Sequence, residues 1–192
     1  MKSLRQILDD TRGDPAFPSL FLGQEILARH PEDLRHVAGR GDVGLAGSSA
    51  LLVEFGFDPG FDGEGVIRYA RSMGRTIVVA HPERYAYGET SCVERVRRWR
   101  ALGARIQLNG GSLLGLYTAR AWALARELLR EGMVDMVCSD HHGHSRPHSP
   151  AQISEAIAEE LGPPAAEVLM GSNPRQILSS RGTGSEPQAK AS

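Results

Sequence analysis

The feature that most constrains the fold of this chain is the regular alternation of short apolar runs with longer amphipathic stretches. Five apolar runs have the length and composition of buried strands: residues 20–26, 50–55, 76–80, 105–108 and 135–138. Between these runs the apolar spacing becomes helical, as in Val93, Val96, Trp99 and Leu102. Strands that alternate with helices in this way predict an α/β fold with a parallel sheet.

Capping residues mark where the predicted helices end and begin. Three helical stretches are followed by a glycine, which predicts a left-handed C-terminal cap before the next strand, at Gly74, Gly103 and Gly132. Ser149 and Pro150 predict the N-cap and first turn of a further helix, which Gly162 closes.

Charge and composition argue against several classes of function. The chain has 192 residues and a formal net charge of -1, so no strong overall field attracts nucleic acid or an anionic membrane. No apolar run is long enough to insert into a bilayer, and we expect a cytoplasmic protein. Cys92 and Cys138 lack the spacing of a disulfide framework or a zinc knuckle. We expect one domain over residues 1–178 and a disordered tail over residues 179–192.

Ionisable residues lie at the downstream ends of four predicted strands. Glu25 is near the end of the first strand, Glu54 is near the end of the second, His81 follows the third and Asp140 follows the fifth. Because the carboxyl ends of parallel strands converge on one face of a β/α barrel, we expect these side chains to meet. Each carboxylate taken alone is equally typical of a helix cap or a solvated surface charge.

His142 completes a mixed oxygen and imidazole donor set, which suits manganese, iron or zinc. Without a cation, several carboxylates on one face repel one another or take up protons. The histidine-rich segment 141–148 is also compatible with an incidental surface tract, but its position directly after a strand favours a site. We expect His141 to point elsewhere and His144 and His148 to be loop residues near a substrate.

Two arginines are predicted near the same face, Arg84 in AHPERY and Arg146 in HSRPHS. The planar guanidinium group donates two parallel hydrogen bonds to a tetrahedral anion, which suits a phosphate group. A surface salt bridge explains either arginine equally well when it is considered alone.

The order of the segments GQEI, LLVEF, VVAHPERY, GARIQLNGGSLLG, VCSDHH and SNPRQIL resembles the capsular and exopolysaccharide protein-tyrosine phosphatases of the PHP (polymerase and histidinol phosphatase) family. The resemblance implies a PHP-type distorted, TIM-like β/α barrel with a multinuclear site that favours Mn²⁺. It implies hydrolysis of phosphotyrosine on a bacterial tyrosine kinase that controls polysaccharide export. Matched position by position, it implies the metal ligands Glu25, Glu54, His81, Asp140 and His142, and the phosphate-binding residues Arg84 and Arg146.

The chain departs from this family at its front end. Family members begin with a strand that bears a His-x-His motif and soon add another ligand histidine, and neither precedes Glu25 here. We therefore expect an incomplete barrel that lacks its first strand–helix units, and an incomplete site with impaired affinity for Mn²⁺ or another divalent transition metal. A homo-oligomer in which a partner chain closes the barrel is an alternative.

Two other functions remain open at this point. One is a PHP phosphatase of the histidinol-phosphatase type, which hydrolyses a small phosphate ester. The other is an inactive remnant that only binds a phosphoprotein partner.

A cysteine-based mechanism also has a motif in this chain, because Cys92 and Arg98 have the C-x5-R spacing of cysteine-dependent tyrosine phosphatases. That chemistry requires a low-pKa thiolate at the mouth of a loop whose amides hold the phosphate. The intervening residues VERVR have a helical pattern without glycine, and Glu94 repels an anion. The pattern therefore argues against this mechanism.

We expect Cys92→Ser to leave phosphatase activity unchanged, because the thiol takes no part in the predicted chemistry. The measurement is kcat/KM on a phosphotyrosine peptide with Mn²⁺ present, for variant and parent proteins of equal thermal stability. A loss of turnover in the folded variant would assign the reaction to the thiol.

Overall fold

The computed structural model describes residues 4–14, 19–57, 59–85, 91–140 and 149–179. Its strands are β1 (Glu25–Leu27), β2 (Ala50–Glu54), β3 (Thr76–Ala80), β4 (Arg105–Asn109) and β5 (Met136–Cys138). Its α-helices are α1 (Leu4–Thr11), α2 (Gly63–Ser72), α3 (Cys92–Ala101), α4 (Gly110–Leu113), α5 (Ala119–Arg130), α6 (Pro150–Leu161), α7 (Pro163–Glu167) and α8 (Asn173–Ser179). Short 3-10 turns cover Pro31–Leu34, Leu45–Gly47 and Pro82–Arg84, and a π turn covers Val168–Ser172. The predicted α/β alternation is confirmed.

All neighbouring strands are parallel, and their order in the sheet is β1-β2-β3-β4-β5. Because each strand lies beside the next in sequence, right-handed crossovers place the connecting helices on one face of the sheet. This is the winding of a β/α barrel, whereas a doubly wound sheet reverses its strand order. Within the described residues the sheet has β1 and β5 at its edges. Barrel closure and the missing front units stay predictions.

The main core lies between the sheet and the helices that follow its strands. It joins strand residues such as Val53 and Val79 to Val66 of α2, Val96 of α3 and Leu128 of α5, all of them fully buried. A smaller apolar cluster on the opposite face contains Ala50, Val78 and Met136. Since side chains alternate along a strand, the ends of β2 and β4 direct polar residues toward this second face, namely Glu54, Gln107 and Asn109.

The first strand differs from its prediction over residues 20–26. The structure places β1 at Glu25–Leu27, so that Glu25 begins the strand. Upstream of Glu25 the chain meets the turn Leu45–Gly47 instead of a strand, and the Ala46 amide donates to the Leu22 carbonyl over 2.8 Å. Within the described part of the chain, the apolar run before Glu25 therefore has no neighbouring strand to pair with, and Phe21 remains 71% exposed.

The predicted helix ends are confirmed. Three cap glycines have the left-handed backbone expected of them, with φ of 70° at Gly74, 89° at Gly103 and 63° at Gly132. Ser149 caps α6 and forms a capping box with Gln152.

Two further expectations concern the end of the chain and membranes. Helix α8 ends at Ser179, and residues 180–192 lie outside the described residues, so the disordered tail stays a prediction. Among the helices that the structure describes, none combines the length and the apolar character required to cross a bilayer.

Phe55 joins the end of β2 to the aromatic part of the core, and we expect Phe55→Ala to be strongly destabilising. Its fully buried ring lies 5.4 Å from that of Phe61 and 5.1 Å from that of Trp99, measured between centroids. The cavity left by alanine should lower the free energy of unfolding by about 3–5 kcal/mol in urea denaturation. Leu116→Ala, at a half-exposed position, is the control and should cost less than about 1 kcal/mol. Equal losses in the two variants would contradict this packing.

Candidate active site

Two carboxylates and one imidazole meet beside the carboxyl ends of β2 and β3: Glu54 ends β2, His81 follows β3, and Glu25 reaches them from the start of β1. His81 Nε2 lies 3.0 Å from Glu25 Oε1 and 3.6 Å from Glu54 Oε2. Each of the three residues offers one ligand atom, and these atoms all lie within 4.8 Å of one another. The structure thus brings together three of the residues that the sequence predicts as metal ligands.

The sheet register explains how Glu25 reaches this group although it begins its strand. Glu25 pairs with Leu52, so its Cα lies two residues, or about 7 Å, short of Glu54 along the strands. The long glutamate side chain spans this difference and contacts His81, the first residue after β3. Glu54 is the last residue of β2 and needs no such reach.

His81 and Asp140 share a left-handed backbone, with φ of 33° and 46°. Within the described residues, Ala46 is the other non-glycine residue with positive φ. This conformation costs on the order of 1–3 kcal/mol and is retained where the surroundings impose it, often at functional sites. At His81 the backbone amide donates to the Gln107 carbonyl over 2.8 Å, and the carbonyl accepts from the Arg84 amide over 3.0 Å. The strain is therefore located where β3 ends and the turn Pro82–Arg84 begins.

The electrostatics of this group favour a bound cation. Partial burial is the main cause that raises the pKa of Glu54; the charge of His81 lowers it, the nearby Glu25 raises it and Arg84 lowers it, with a net rise. His81 is 3% exposed, and its Nδ1 has no hydrogen-bond partner in the described parts of the chain. Two crowded carboxylates and a buried imidazole form a donor set that fits Mn²⁺, iron or zinc.

Tyr85 ties together the two strand ends that carry Glu54 and His81. Its buried hydroxyl donates to the Ala80 carbonyl over 2.5 Å and accepts from the Phe55 amide over 3.1 Å. Burial raises the pKa of Tyr85 well above its usual value, so the hydroxyl keeps its proton. Ala80 directly precedes His81 and Phe55 directly follows Glu54, so one hydroxyl fixes the spacing of both side chains.

Arg84 lies among aromatic rings beside Asp140. Its guanidinium carbon is 4.4 Å from the centre of the Tyr117 ring and 5.4 Å from that of Phe57. Its Nη1 is 3.4 Å from Asp140 Oδ2. The Phe57 ring is parallel to the His81 ring within 3°, with 6.3 Å between centroids. Arg84 thus contacts Asp140 and the rings of Tyr117 and Phe57, and the Phe57 ring also lies beside His81.

The family can be assigned once this geometry is known. The sequence model of the capsular polysaccharide synthesis family CpsB/CapC matches residues 1–179. The chain belongs to this family.

The fold of this CpsB/CapC family member resembles that of a solved structure. That structure belongs to a set of crystal structures of YwqE from Bacillus subtilis and CpsB from Streptococcus pneumoniae, described as unique metal-dependent tyrosine phosphatases. The TM-score is 0.77 at 21% sequence identity, and the match covers 95% of this chain and 74% of that chain. A search of the curated proteins gave no match. The structural likeness confirms the α/β fold of the family member.

The remaining predicted site residues of the CpsB/CapC protein have different outcomes. Asp140 lies beside Arg84 and is not part of the 4.8 Å group of ligand atoms among the described residues. His142 and Arg146 lie outside the described residues, as do His144 and His148.

Two buried polar residues of the site were missed by sequence reasoning. The side-chain Nδ2 of Asn109 donates to Asp140 Oδ2 over 2.8 Å. The backbone amide of Asn109 donates to Glu83 Oε1 over 3.1 Å. Asn109 ends β4, so the strand-end argument would have found it had it included amides as well as ionisable groups. Glu83 lies inside the AHPERY motif, in which only His81 and Arg84 were assigned roles.

The structure places the C-x5-R segment of the CpsB/CapC protein within helix α3. Cys92 is 3% exposed, and its Sγ lies 3.8 Å from the Pro82 carbonyl. Arg98 Nε lies 3.7 Å from Glu64 Oε1. The thiol and the guanidinium group therefore do not frame an anion-binding loop.

We expect Tyr85→Phe to destabilise the protein by about 1–3 kcal/mol, because it leaves the buried Phe55 amide without its acceptor. Urea denaturation of the metal-free protein measures this loss. Tyr69→Phe, at a partly buried position on α2, is the matched control and should change the free energy of unfolding by less than about 0.5 kcal/mol. If both variants are as stable as the parent protein, the hydroxyl does not hold the two strand ends together.

Proposed function

We propose that the protein is a metal-dependent protein-tyrosine phosphatase that hydrolyses phosphotyrosine on a bacterial tyrosine kinase of capsule or exopolysaccharide synthesis. The observation that carries this proposal is the convergence of ligand atoms of Glu25, Glu54 and His81 within 4.8 Å of one another, beside the carboxyl ends of β2 and β3. Membership in the CpsB/CapC family and the structural likeness to metal-dependent tyrosine phosphatases support it.

Glu25, Glu54 and His81 would hold a divalent cation, with Asp140 and His142 as further ligands. Mn²⁺ is the ion we expect, because carboxylate oxygens together with imidazole suit a cation of intermediate hardness. When bound, such cations supply Lewis acidity toward the phosphoryl oxygens and an acidified water for attack on phosphorus.

Arg84 would bind the phosphoryl group of the substrate. Its guanidinium group has five N–H donors, so the contact with Asp140 leaves donors for phosphate oxygens. The Tyr117 and Phe57 rings restrict the orientation of this side chain, whose exposed fraction is 17%. A preorganised cation beside the reacting group stabilises the charge that develops in phosphoryl transfer. Arg146 would be a second phosphate ligand from the segment that follows β5.

Phe57 favours an aromatic ester as the substrate. The ring is 48% exposed and stacks beside His81, so a flat apolar surface flanks the proposed metal site. A phenyl ring packed against it would gain about 0.5–1.5 kcal/mol beyond its buried area. An alkyl phosphate such as histidinol phosphate carries no ring on the ester oxygen and would lack this contact there.

We expect His81→Ala and Asp140→Ala to reduce Mn²⁺-dependent phosphate release to the level seen with EDTA, because each variant loses a proposed ligand. The assay uses a phosphotyrosine peptide and the full chain. His36→Ala, at an exposed histidine that is not part of the group of ligand atoms, is the control and should keep the parent activity. Full activity in the folded His81→Ala variant would refute the metal site.

The same assay separates the alternative functions. A phosphotyrosine phosphatase should give a higher kcat/KM with the phosphotyrosine peptide than with histidinol phosphate. The reverse preference would assign the protein to small-ester hydrolysis. Binding of the phosphopeptide without turnover at saturating Mn²⁺ would instead support the inactive phosphoprotein-binding remnant.

A further inference from the structure

A fully buried carboxyl group lies behind the proposed site. Glu83 lies in the turn Pro82–Arg84 and is 1% exposed. Its Oε1 accepts from the backbone amide of Asn109 over 3.1 Å and from Ser112 Oγ over 2.7 Å. Burying a carboxyl group is costly unless hydrogen bonds compensate for the lost water. Both donors come from the junction of β4 and α4, so Glu83 links this junction to the turn that carries Arg84.

Asn109 uses both ends of its buried amide side chain. Its Oδ1 accepts from the Gly111 amide over 2.8 Å, which caps α4. Its Nδ2 donates to Asp140 Oδ2 over 2.8 Å. One side chain therefore connects the end of β4 to Asp140, which lies two residues after the neighbouring strand β5.

Asn109 and Arg84 both reach the same oxygen of Asp140, and the contact from Asn109 is the shorter. Arg84 Nη1 lies 3.4 Å from Asp140 Oδ2, against 2.8 Å for Asn109 Nδ2. Together these donors restrict the rotation of the Asp140 carboxylate. Asp140 also has left-handed backbone, a conformation that persists only where neighbouring groups hold it.

The junction that carries Asn109 is closely packed. A Cβ at Gly110 would collide with the Ile153 side chain of α6, and a Cβ at Gly111 would lie 2.9 Å from the Tyr117 ring. The first turn of α4 is thus packed directly against α6 and Tyr117. This packing and the bonds to Glu83 and Gly111 restrict where the Asn109 side chain can lie.

We propose that Asn109, anchored by Glu83 and Gly111, is a positioning residue that holds the Asp140 carboxylate in the orientation needed for cation binding. This inference rests on the proposed function in one respect, since it takes Asp140 to be a metal ligand. In this proposal Asn109 acts through Asp140 and has no direct role toward the cation or the substrate.

A purely structural role, as the N-cap of α4, is the competing explanation, and Asn109→Ser separates the two. Serine is as good an N-cap as asparagine, so the cap oxygen is retained. The shorter side chain cannot reach Asp140, and no charge is added. The matched control is Asn173→Ser, because Asn173 Nδ2 donates over 3.0 Å to the Asp135 carbonyl at the opposite end of β5.

The experiment is a double-mutant cycle on Mn²⁺ affinity, measured by isothermal titration calorimetry with the full chain. Asn109→Ser should weaken Mn²⁺ binding by about tenfold or more, as is usual when the partner of a ligand is lost. In the Asp140→Ala background the same substitution should have no further effect. Asn173→Ser should bind Mn²⁺ as the parent does. Unchanged affinity in Asn109→Ser, or an equal loss in both backgrounds, would overturn the inference.

A crystal structure of Asn109→Ser distinguishes failure of this inference from failure of the proposed function. If the parent protein binds no Mn²⁺ at all, the proposed metal site is wrong whatever Asn109 does. In that case a reoriented Asp140 carboxylate in the variant still upholds the positioning role. A carboxylate that keeps the parent orientation overturns it.

Discussion

The constraint on which this site depends is the crowding of two carboxylates around one imidazole. Glu25 and Glu54 both approach Nε2 of His81, at 3.0 and 3.6 Å, in surroundings that are partly removed from water. Burial and the second carboxylate raise the pKa of Glu54, and one imidazole does not cancel both effects. A divalent cation relieves this conflict more completely than a proton, because it compensates both carboxylates at once.

Residues 81–85, which follow β3, hold this arrangement together, because four of them make four different contacts. His81 faces the carboxylates, Glu83 anchors the junction of β4 and α4, Arg84 contacts Asp140, and Tyr85 joins the ends of β2 and β3. The left-handed backbone of His81 makes the tight turn possible at an energetic cost that these contacts offset. The AHPERY segment therefore organises the site structurally, in addition to carrying the proposed ligands His81 and Arg84.

Much of the fold was predictable from local patterns. Strands β2 to β5 agree with their predictions within one residue at each end, because they are buried and flanked by cap glycines or helices. β1 was predicted too long, because an apolar run does not reveal whether a neighbouring strand is available for pairing. The turn at Leu45–Gly47 occupies that place, and only tertiary structure shows it.

The site was predictable where its residues follow strands. The strand-end argument anticipated the meeting of Glu25, Glu54 and His81, although Glu25 begins β1 instead of ending it. It overlooked Asn109 because only ionisable groups were considered. Phe57 and Tyr117 come from connecting segments, whose course in space no periodicity predicts. His142 and Arg146 lie outside the described residues, so their roles rest on the family resemblance alone.

The most direct measurement of the central claim is an anomalous difference map from crystals of the protein grown with Mn²⁺. The account predicts a manganese peak at coordination distance from the side chains of Glu25, Glu54 and His81. A map with manganese bound elsewhere, or a well-ordered group of these three side chains with no peak at saturating Mn²⁺, would contradict it.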